Sequence, residues 1–563
     1  MTITHKKKLL GKRITSALVG TLMVATIPIV AGAKDITQPT QPTKGWYHSS
    51  DTVQQADGLS SKIADSIDGS NVLSFIDINA NMTNVKTQAQ LKSALAKSGN
   101  KKIRLMANIT LTSNIAVNSK SKNIIYTNGY KLNNVSKLQG NNKTLNFYCD
   151  VENESDFNKA LSFNNGNYNT RIIIRKAVTL SNKKYSINNA RTSLYLNNQN
   201  LSIKEGGQIY INDSSVEICG GANRTAIKVT GNGKGNNKSL IEVAPNKNNI
   251  HMRNFNVSAS DFYDSAVEYN YNDTSLTMYN MNITSAKTGS NAVWFNGSSG
   301  KSISNIKITN VNIDSKGSGV KGNYTSKLLV CASDPNARQY VAVKNSIHFT
   351  NSSYLKFGVS SAGSFLCTKS TKENGIYLNN VKNSTVQSVT TASKKDGLIL
   401  NNCNNIYMPR FFATVDSTDS TTVSISNSNI VTFMGESQNK TMSLDKIDCD
   451  SSKNVAFNNV DTNNCTVTGG SKLKFNNVKF KKVSIKGSSS SKVSEFYFSG
   501  TTKFNNGFTF ANVTKFDSSK EVKLTGEGSI TNGSYFTFVN MMNTGKSNFT
   551  LTNCSAFTPE SLK

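Results

Sequence analysis

The 563-residue chain carries 64 Lys and Arg against 34 Asp and Glu, a formal charge of +30. That charge is scattered in isolated pairs such as Lys101-Lys102, Lys394-Lys395 and Lys481-Lys482, which argues against a nucleic-acid-binding arm and for a diffusely positive surface. Eight cysteines (149, 219, 331, 367, 403, 449, 465 and 554) stand singly, with no Cys-x-x-Cys pair and no His at metal-ligand spacing, so no metal site is expected. In apolar runs such cysteines are expected as buried free thiols, Cys449 and Cys465 being the pair closest to a bridge.

From the N-terminus, residues 1–33 have the make-up of a secretory signal: Lys6, Lys7, Lys8, Lys12 and Arg13 precede an apolar run from Ile14 to Val30, and Ala31-Gly32-Ala33 fits a small-residue cleavage site. The run is short for an uncleaved anchor, and no comparable stretch follows. The mature chain is expected to begin near Lys34, outside the cytoplasm, secreted or at the cell surface and without a transmembrane segment. Removing those five cations leaves +25 on it. Residues 34–85 read as a polar, partly ordered lead-in, although Trp46 and the run Val72-Leu73-Ser74-Phe75-Ile76 suggest that part of it docks on something.

Residues 86–206 hold a duplicated unit. Gln90-Leu91-Lys92-Ser93-Ala94-Leu95 and Asp156-Phe157-Asn158-Lys159-Ala160-Leu161 each place apolar residues at i, i+3 and i+4, one side of a short amphipathic helix, and strand-like runs follow both. Thr87 with Gln90 offers a capping box. Such a helix can lie across the open end of a parallel sheet and hide its unpaired backbone groups.

From 207 to 563 the pattern is short alternating strands separated by Asn, Ser and Gly. Gly375-Ile376-Tyr377-Leu378-Asn379-Asn380 returns 22 residues later as Gly397-Leu398-Ile399-Leu400-Asn401-Asn402, and Phe-Asn-Asn recurs at 457–459, 475–477 and 504–506. A strand and a paired Asn at a period of roughly 20 to 30 residues indicate stacked coils. The chain has 76 Asn, clustered just after strands. Asn tolerates the left-handed backbone that a sharp corner needs, and amides stacked at successive corners can form a hydrogen-bonded ladder. A disordered Asn-rich tract is set aside because Val, Ile, Leu and Phe interleave at strand spacing.

These repeats resemble the pectate-lyase-like right-handed parallel β-helix superfamily, and the helix-then-strand units at 86–206 resemble its adhesin-type, non-catalytic variants. The resemblance implies an all-β fold, a single right-handed parallel β-helix or solenoid with short amphipathic helices near its N-terminal end. At about 4.8 Å per coil, 18 to 20 coils would make a rod on the order of 90 Å long.

Many relatives of this fold cleave acidic polysaccharides, so acids and bases need weighing. In the polygalacturonase branch two acids and a water-activating base carry inverting hydrolysis; Lys394-Lys395-Asp396-Gly397 resembles its first acidic turn and Asp416 and Asp419 lie near the second position. The paired Asp is split, however, and no His follows, since the histidines are His5, His48, His251 and His348. A lyase would need Arg or Lys as base beside an Asp cluster holding Ca²⁺; the candidates are His251 and Arg253 with Asp261, Asp264 and Glu268, with Asp273 too far along. Asp334, Pro335, Asn336 and Arg338 mark another insertion. For all these acids a solvated turn is the plainer identity, and no cofactor is expected unless the chain is a lyase. Phe262, Tyr263, Tyr269, Tyr271, Tyr279, Trp294 and Phe295 crowd one span. Alternation sends about half of them inward, and Phe262, Tyr263, Tyr269, Tyr271 and Trp294 are the candidates for stacking on sugars. The expected function is a monomeric, secreted adhesin or surface-structural protein that associates with anionic extracellular polymer (acidic polysaccharide, teichoic acid or mucin-type glycan). A polysaccharide lyase or glycoside hydrolase is the alternative.

Overall fold

The computed structural model describes residues 82–559 apart from short internal segments, the longest being 332–340, 359–365 and 487–493. Residues 1–81, read above as leader and lead-in, together with Asp273, the 334–338 insertion, Asp416 and Asp419 lie outside the described residues.

The chain winds as a parallel β-helix with three faces. Face 1 runs unbroken from Met82–Val85 through Lys101–Leu105, Asn123–Tyr126, Leu145–Val151 and Asn169–Ile174 to Ser555–Pro559, 21 strands joined only by parallel pairings. Twenty steps of about 4.8 Å give a stack of roughly 96 Å. Its first strand, Met82–Val85, falls inside the stretch read as lead-in. Face 2 begins at Lys184–Ile187 and continues through Gln208–Ile211, Ser239–Val243, Ser265–Asn270 and Asn291–Asn296. Face 3 takes Val178–Leu180, Leu201–Ile203, Thr225–Val229 and Phe255–Ala259. Where turns vanish, one strand rounds two corners: Ile306–Asn323 pairs through its first part on face 1, its middle on face 3 and its end on face 2.

Alternation fills the interior. Ile218, Met252, Met278, Ile308 and Val330 point inward rung over rung, and Phe433, Phe457 and Phe475 stack with centroids 5.0 and 5.4 Å apart. The repeat at 376–379 and 398–401 lies in register, as expected. Two Phe-Asn-Asn copies stack, but Phe504 of the third pairs with Phe480 on face 3 and not with Phe475. Short sequence words cannot distinguish faces.

Asn makes the corners. Nineteen of the 27 described non-glycine residues with positive φ are Asn. One corner column reads Asn351, Asn380, Asn402, Asn427, Ser451 and Gly469, with φ of 49, 52, 51, 48, 49 and 72°. Amides bridge the rungs, Asn380 Nδ2 donating to Asn351 Oδ1 at 2.8 Å and Asn405 to Asn383 at 2.9 Å.

Helix α1 (Gln88–Ala96) starts at Thr87, whose hydroxyl accepts from Gln90 N–H at 3.3 Å while the Gln90 side chain reaches back to Lys86 N–H at 2.7 Å. It buries Leu91, Ala94 and Leu95 against the first strands of the solenoid. Helix α2 (Glu154–Leu161), capped by Asn153, buries Phe157 and Ala160 beside the strands at 145–151 and 184–187. Cys149, Cys219, Cys331, Cys403, Cys449 and Cys465 are buried thiols outside any disulfide. Cys449 and Cys465 are on adjacent rungs but not bridged, because Cys449 faces Val467 and Cys465 faces Ile447.

Candidate functional site

On face 2 the side chains alternate with the core and line up outside it. Tyr210, Glu242, Glu268, Trp294, Lys321, His348 and Tyr377 follow one another in register. All seven are half-buried, and at about 4.8 Å per rung the row is roughly 29 Å long. Six of the seven sit between two apolar neighbours, as in Ile241-Glu242-Val243 or Ile347-His348-Phe349, so the inward pair anchors what the middle residue presents, and Lys321 sits between Val320 and Gly322. An amide and hydroxyl row runs alongside: Asn296 donates to Asn270 (3.3 Å), Thr350 to Asn323 (2.8 Å), Asn401 to Asn379 (3.1 Å) and Ser426 to Asn401 (3.0 Å).

The second and third residues of the row are a carboxylate pair. Glu242 accepts from Gln208 Nε2 at 2.7 Å and from Asn270 Nδ2 at 2.9 Å. Glu268 accepts from the Ser239 hydroxyl, from Ser265 at 3.4 Å and from Asn296 at 3.1 Å. Burial pushes the Glu268 carboxyl above the usual range, and the Glu242 charge adds to that against the hydrogen bonds that oppose it. The ring faces of the row are taken by neighbouring rungs: Lys184 Nζ lies 3.2 Å from the Tyr210 centroid, Lys321 Nζ 5.9 Å from that of Trp294, and His348 packs on Tyr377 at 4.5 Å. The surface offers ring edges, amides, acceptor oxygens and ammonium groups at regular spacing, suited to hydroxyls along an extended chain.

The lyase-type candidates are not brought together. Arg253 ends a face 1 strand and donates from Nε to Glu217 at 2.6 Å, whereas Asp264 immediately precedes the face 2 strand and pairs with Lys287. Asp261 is exposed on the turn between them. His251 is buried, which pushes its pKa down to about 4, with Glu217 opposing and Arg253 reinforcing the shift. Asp396 accepts from Thr421 N–H at 2.7 Å. Among the described residues no three His, Cys, Asp or Glu converge as a metal site.

Of the aromatic candidates, Tyr263 and Tyr269 belong to the core, Tyr263 donating to Gly207 O at 2.7 Å and Tyr269 stacked on Phe295 at 5.6 Å. Strand alternation turns Tyr269 inward and Tyr263 is buried on the turn that precedes its strand, both away from any surface ligand. Phe262 and Tyr271 are half-buried beneath Lys238 and Lys301, at 4.6 and 4.7 Å. Trp294 belongs to the face 2 row, as does Glu268. Sequence reading missed Tyr210, Glu242, Lys321, His348 and Tyr377 as companions; the repeated apolar-x-apolar triplet was the available signal, but it needed the register to become a row. A separate concavity of about 460 Å³ lies between α2 and the turn at 127–134, lined by Tyr130, Lys131, Asp150, Asp156 and Lys159.

Continuous parallel rungs with an inward aliphatic stack define a parallel β-helix protein. Within it, residues 82–238 match the family described as "Putative pectate lyase-like adhesive domain". No curated protein matches the chain. Among solved structures it is similar to the DFA-IIIase of Arthrobacter chlorophenolicus A6, at 9% identity and TM-score 0.18, covering 78% of this chain and 79% of that one. It is also similar to the Agl-KA catalytic domain, at 12% identity and TM-score 0.20, covering 71% and 64%. No helix among the described residues is long and apolar enough to cross a membrane.

Proposed function

We propose that this chain is an extracellular adhesive rod that lays face 2 along a polysaccharide. The observation that carries this reading is the half-buried row from Tyr210 to Tyr377 with its hydrogen-bonded Asn row, a repeating comb of donors and acceptors on a straight axis. The match to an adhesive domain at 82–238 supports it, and the charge of +30 favours anionic polymers such as acidic polysaccharide, teichoic acid or mucin-type glycan. Retention on such polymers should weaken as salt screens the charge. Replacing Trp294, Lys321 and Tyr377 together by Ala should lower retention about tenfold, a loss of ~1.4 kcal/mol; unchanged retention by that variant, or none by the parent chain at low ionic strength, would remove the reading.

A second reading, glycoside hydrolysis, is favoured by one feature. Glu242 and Glu268 occupy adjacent rungs, close to the ~5–5.5 Å carboxylate separation of retaining glycosidases, and burial holds the Glu268 proton longer than usual, as a general acid requires. Release of reducing ends from a glycan panel, abolished by Glu268→Gln, would establish it; no turnover on any acidic or neutral glycan leaves binding as the role.

A further inference from the structure

Helix α2 fills the corner of a coil whose predecessor rounds the same corner in a tight turn, and the mismatch leaves the concavity of about 460 Å³ between them. In the earlier coil Tyr130 N–H donates to Thr127 O at 2.9 Å, with Asn128 and Gly129 at φ of 47 and 76°. Asn-Gly is the pair that accepts two successive positive φ values, so the turn has a fixed shape. In the next coil Leu145–Val151 runs into α2, which turns Phe157 and Ala160 to the core and sends Lys159 back over the turn: a Cβ added at Gly129 would lie 3.7 Å from Lys159 Nζ. The volume falls in the ~300–1,000 Å³ range of small-molecule sites. Its walls come from two successive coils only, about 4.8 Å apart, so it suits the end of a chain and not a strand crossing many rungs.

The lining offers chemistry that the fold does not use. Tyr130 is 37% exposed, the one large hydrophobic side chain so placed among the described residues, and its ring carries an apolar face with a polar tip. The Lys131 backbone N–H is tied to Asn108 Oδ1 at 2.8 Å, while its ammonium has no partner among the described residues. Lys159 Nζ stands 3.7 Å from Asp156 Oδ1, beyond hydrogen-bond length. Asp150 is taken by Arg175 Nε at 2.5 Å. Two ammonium groups therefore face one carboxylate, and the recess is net positive. Asn133 spends its Nδ2 on Thr110 Oγ1 at 3.0 Å and Asn164 its Oδ1 on Gly166 N–H at 3.1 Å, which leaves one amide an acceptor and the other a donor.

We propose that this recess is a second carbohydrate site, holding a single terminal pyranose that carries a carboxylate. Tyr130 covers the apolar face of the sugar ring, Lys131 and Lys159 take the carboxylate, and Asp156 and Asn133 accept its hydroxyl protons. The site is independent of the reading of face 2, since none of its residues belongs to the row that begins at Tyr210.

The test is a titration of the chain starting at Lys34 with methyl β-D-glucuronide, read by ligand-observed NMR, with methyl β-D-glucoside and acetate as comparison probes. The expected dissociation constant is on the order of 1 mM. Glucoside and acetate should each bind at least about tenfold more weakly, one lacking the charge and the other the ring. Tyr130→Ala and Lys159→Gln should each weaken the glucuronide about tenfold, whereas the combined Ala variant of Trp294, Lys321 and Tyr377 should bind it as the parent does. Tyr130 and Lys159 are exposed, so neither change disturbs the core. No binding of the glucuronide, equal binding of all three probes, or binding untouched by Tyr130→Ala overturns the proposal. Loss of binding in the face 2 variant overturns it too, because the acidic sugar would then sit on face 2.

Discussion

Face 1 and face 2 are built by the same rule, parallel strands with alternate side chains turned outward, yet one outward row is sealed and the other is open. Glu217 and Glu242 occupy equivalent outward positions two strands apart along the chain; the first is shut in with Arg253 and the second shares two amide donors in reach of solvent. In a solenoid, alternation settles which residues enter the core but leaves open what happens on the far side. A working surface and a covered surface can be written with the same alternation.

The largest effect should separate the two faces. Arg253→Ala leaves the fully buried Glu217 carboxylate without its ion-pair partner and should cost about 3–5 kcal/mol, whereas Lys321→Ala in the open row should cost no more than about 1 kcal/mol; urea midpoints of the two variants check this. Similar costs at both positions would erase the distinction.

Next comes pH. The folded state holds His251 at about 4, below the usual 6.5, so the unfolded chain takes up the proton first. Stability is fully present above pH 6.5, falls as pH drops toward 4 and levels off below, a loss of about 3 kcal/mol from this group. Unfolding midpoints at pH 7 and 4.5 should differ less in His251→Asn than in the parent chain.

A smaller effect belongs to the corners. Asn380→Ala forces Cβ into φ of 52° and removes the amide bond to Asn351, at about 1 kcal/mol, whereas Asn380→Gly should be closer to neutral. Thermal midpoints of the pair test whether backbone handedness or the amide ladder dominates. Smallest of all, Glu268→Gln relieves a partly buried carboxyl of raised pKa whose penalty grows as pH rises, so it should gain stability at pH 7 and none at pH 3.

Much of the fold was legible because its causes are local. Alternation announced the strands, the Asn pairs announced left-handed corners, and Thr87 with Gln90 announced where α1 begins. The candidate site was less legible because it is assembled across coils. Glu242, Glu268 and Trp294 are 26 residues apart at each step, and turn lengths vary between coils, so only pairing register joins them. The crowd of aromatics at 262–295 was visible as composition, but Tyr263 and Tyr269 spend their rings on the core. Sealing of face 1 was invisible for another reason: Tyr148 and Tyr195 look like ordinary exposed strand residues until their neighbours are known.

Hydrogen exchange on the chain starting at Lys34, with and without a retained polysaccharide, tests the division of labour most directly. Protection gained on the face 2 strands from Gln208–Ile211 to Ile376–Asn379, with face 1 already protected and unchanged, is the result this account predicts. Protection gained on face 1 instead, or spread evenly around the coils, would contradict it.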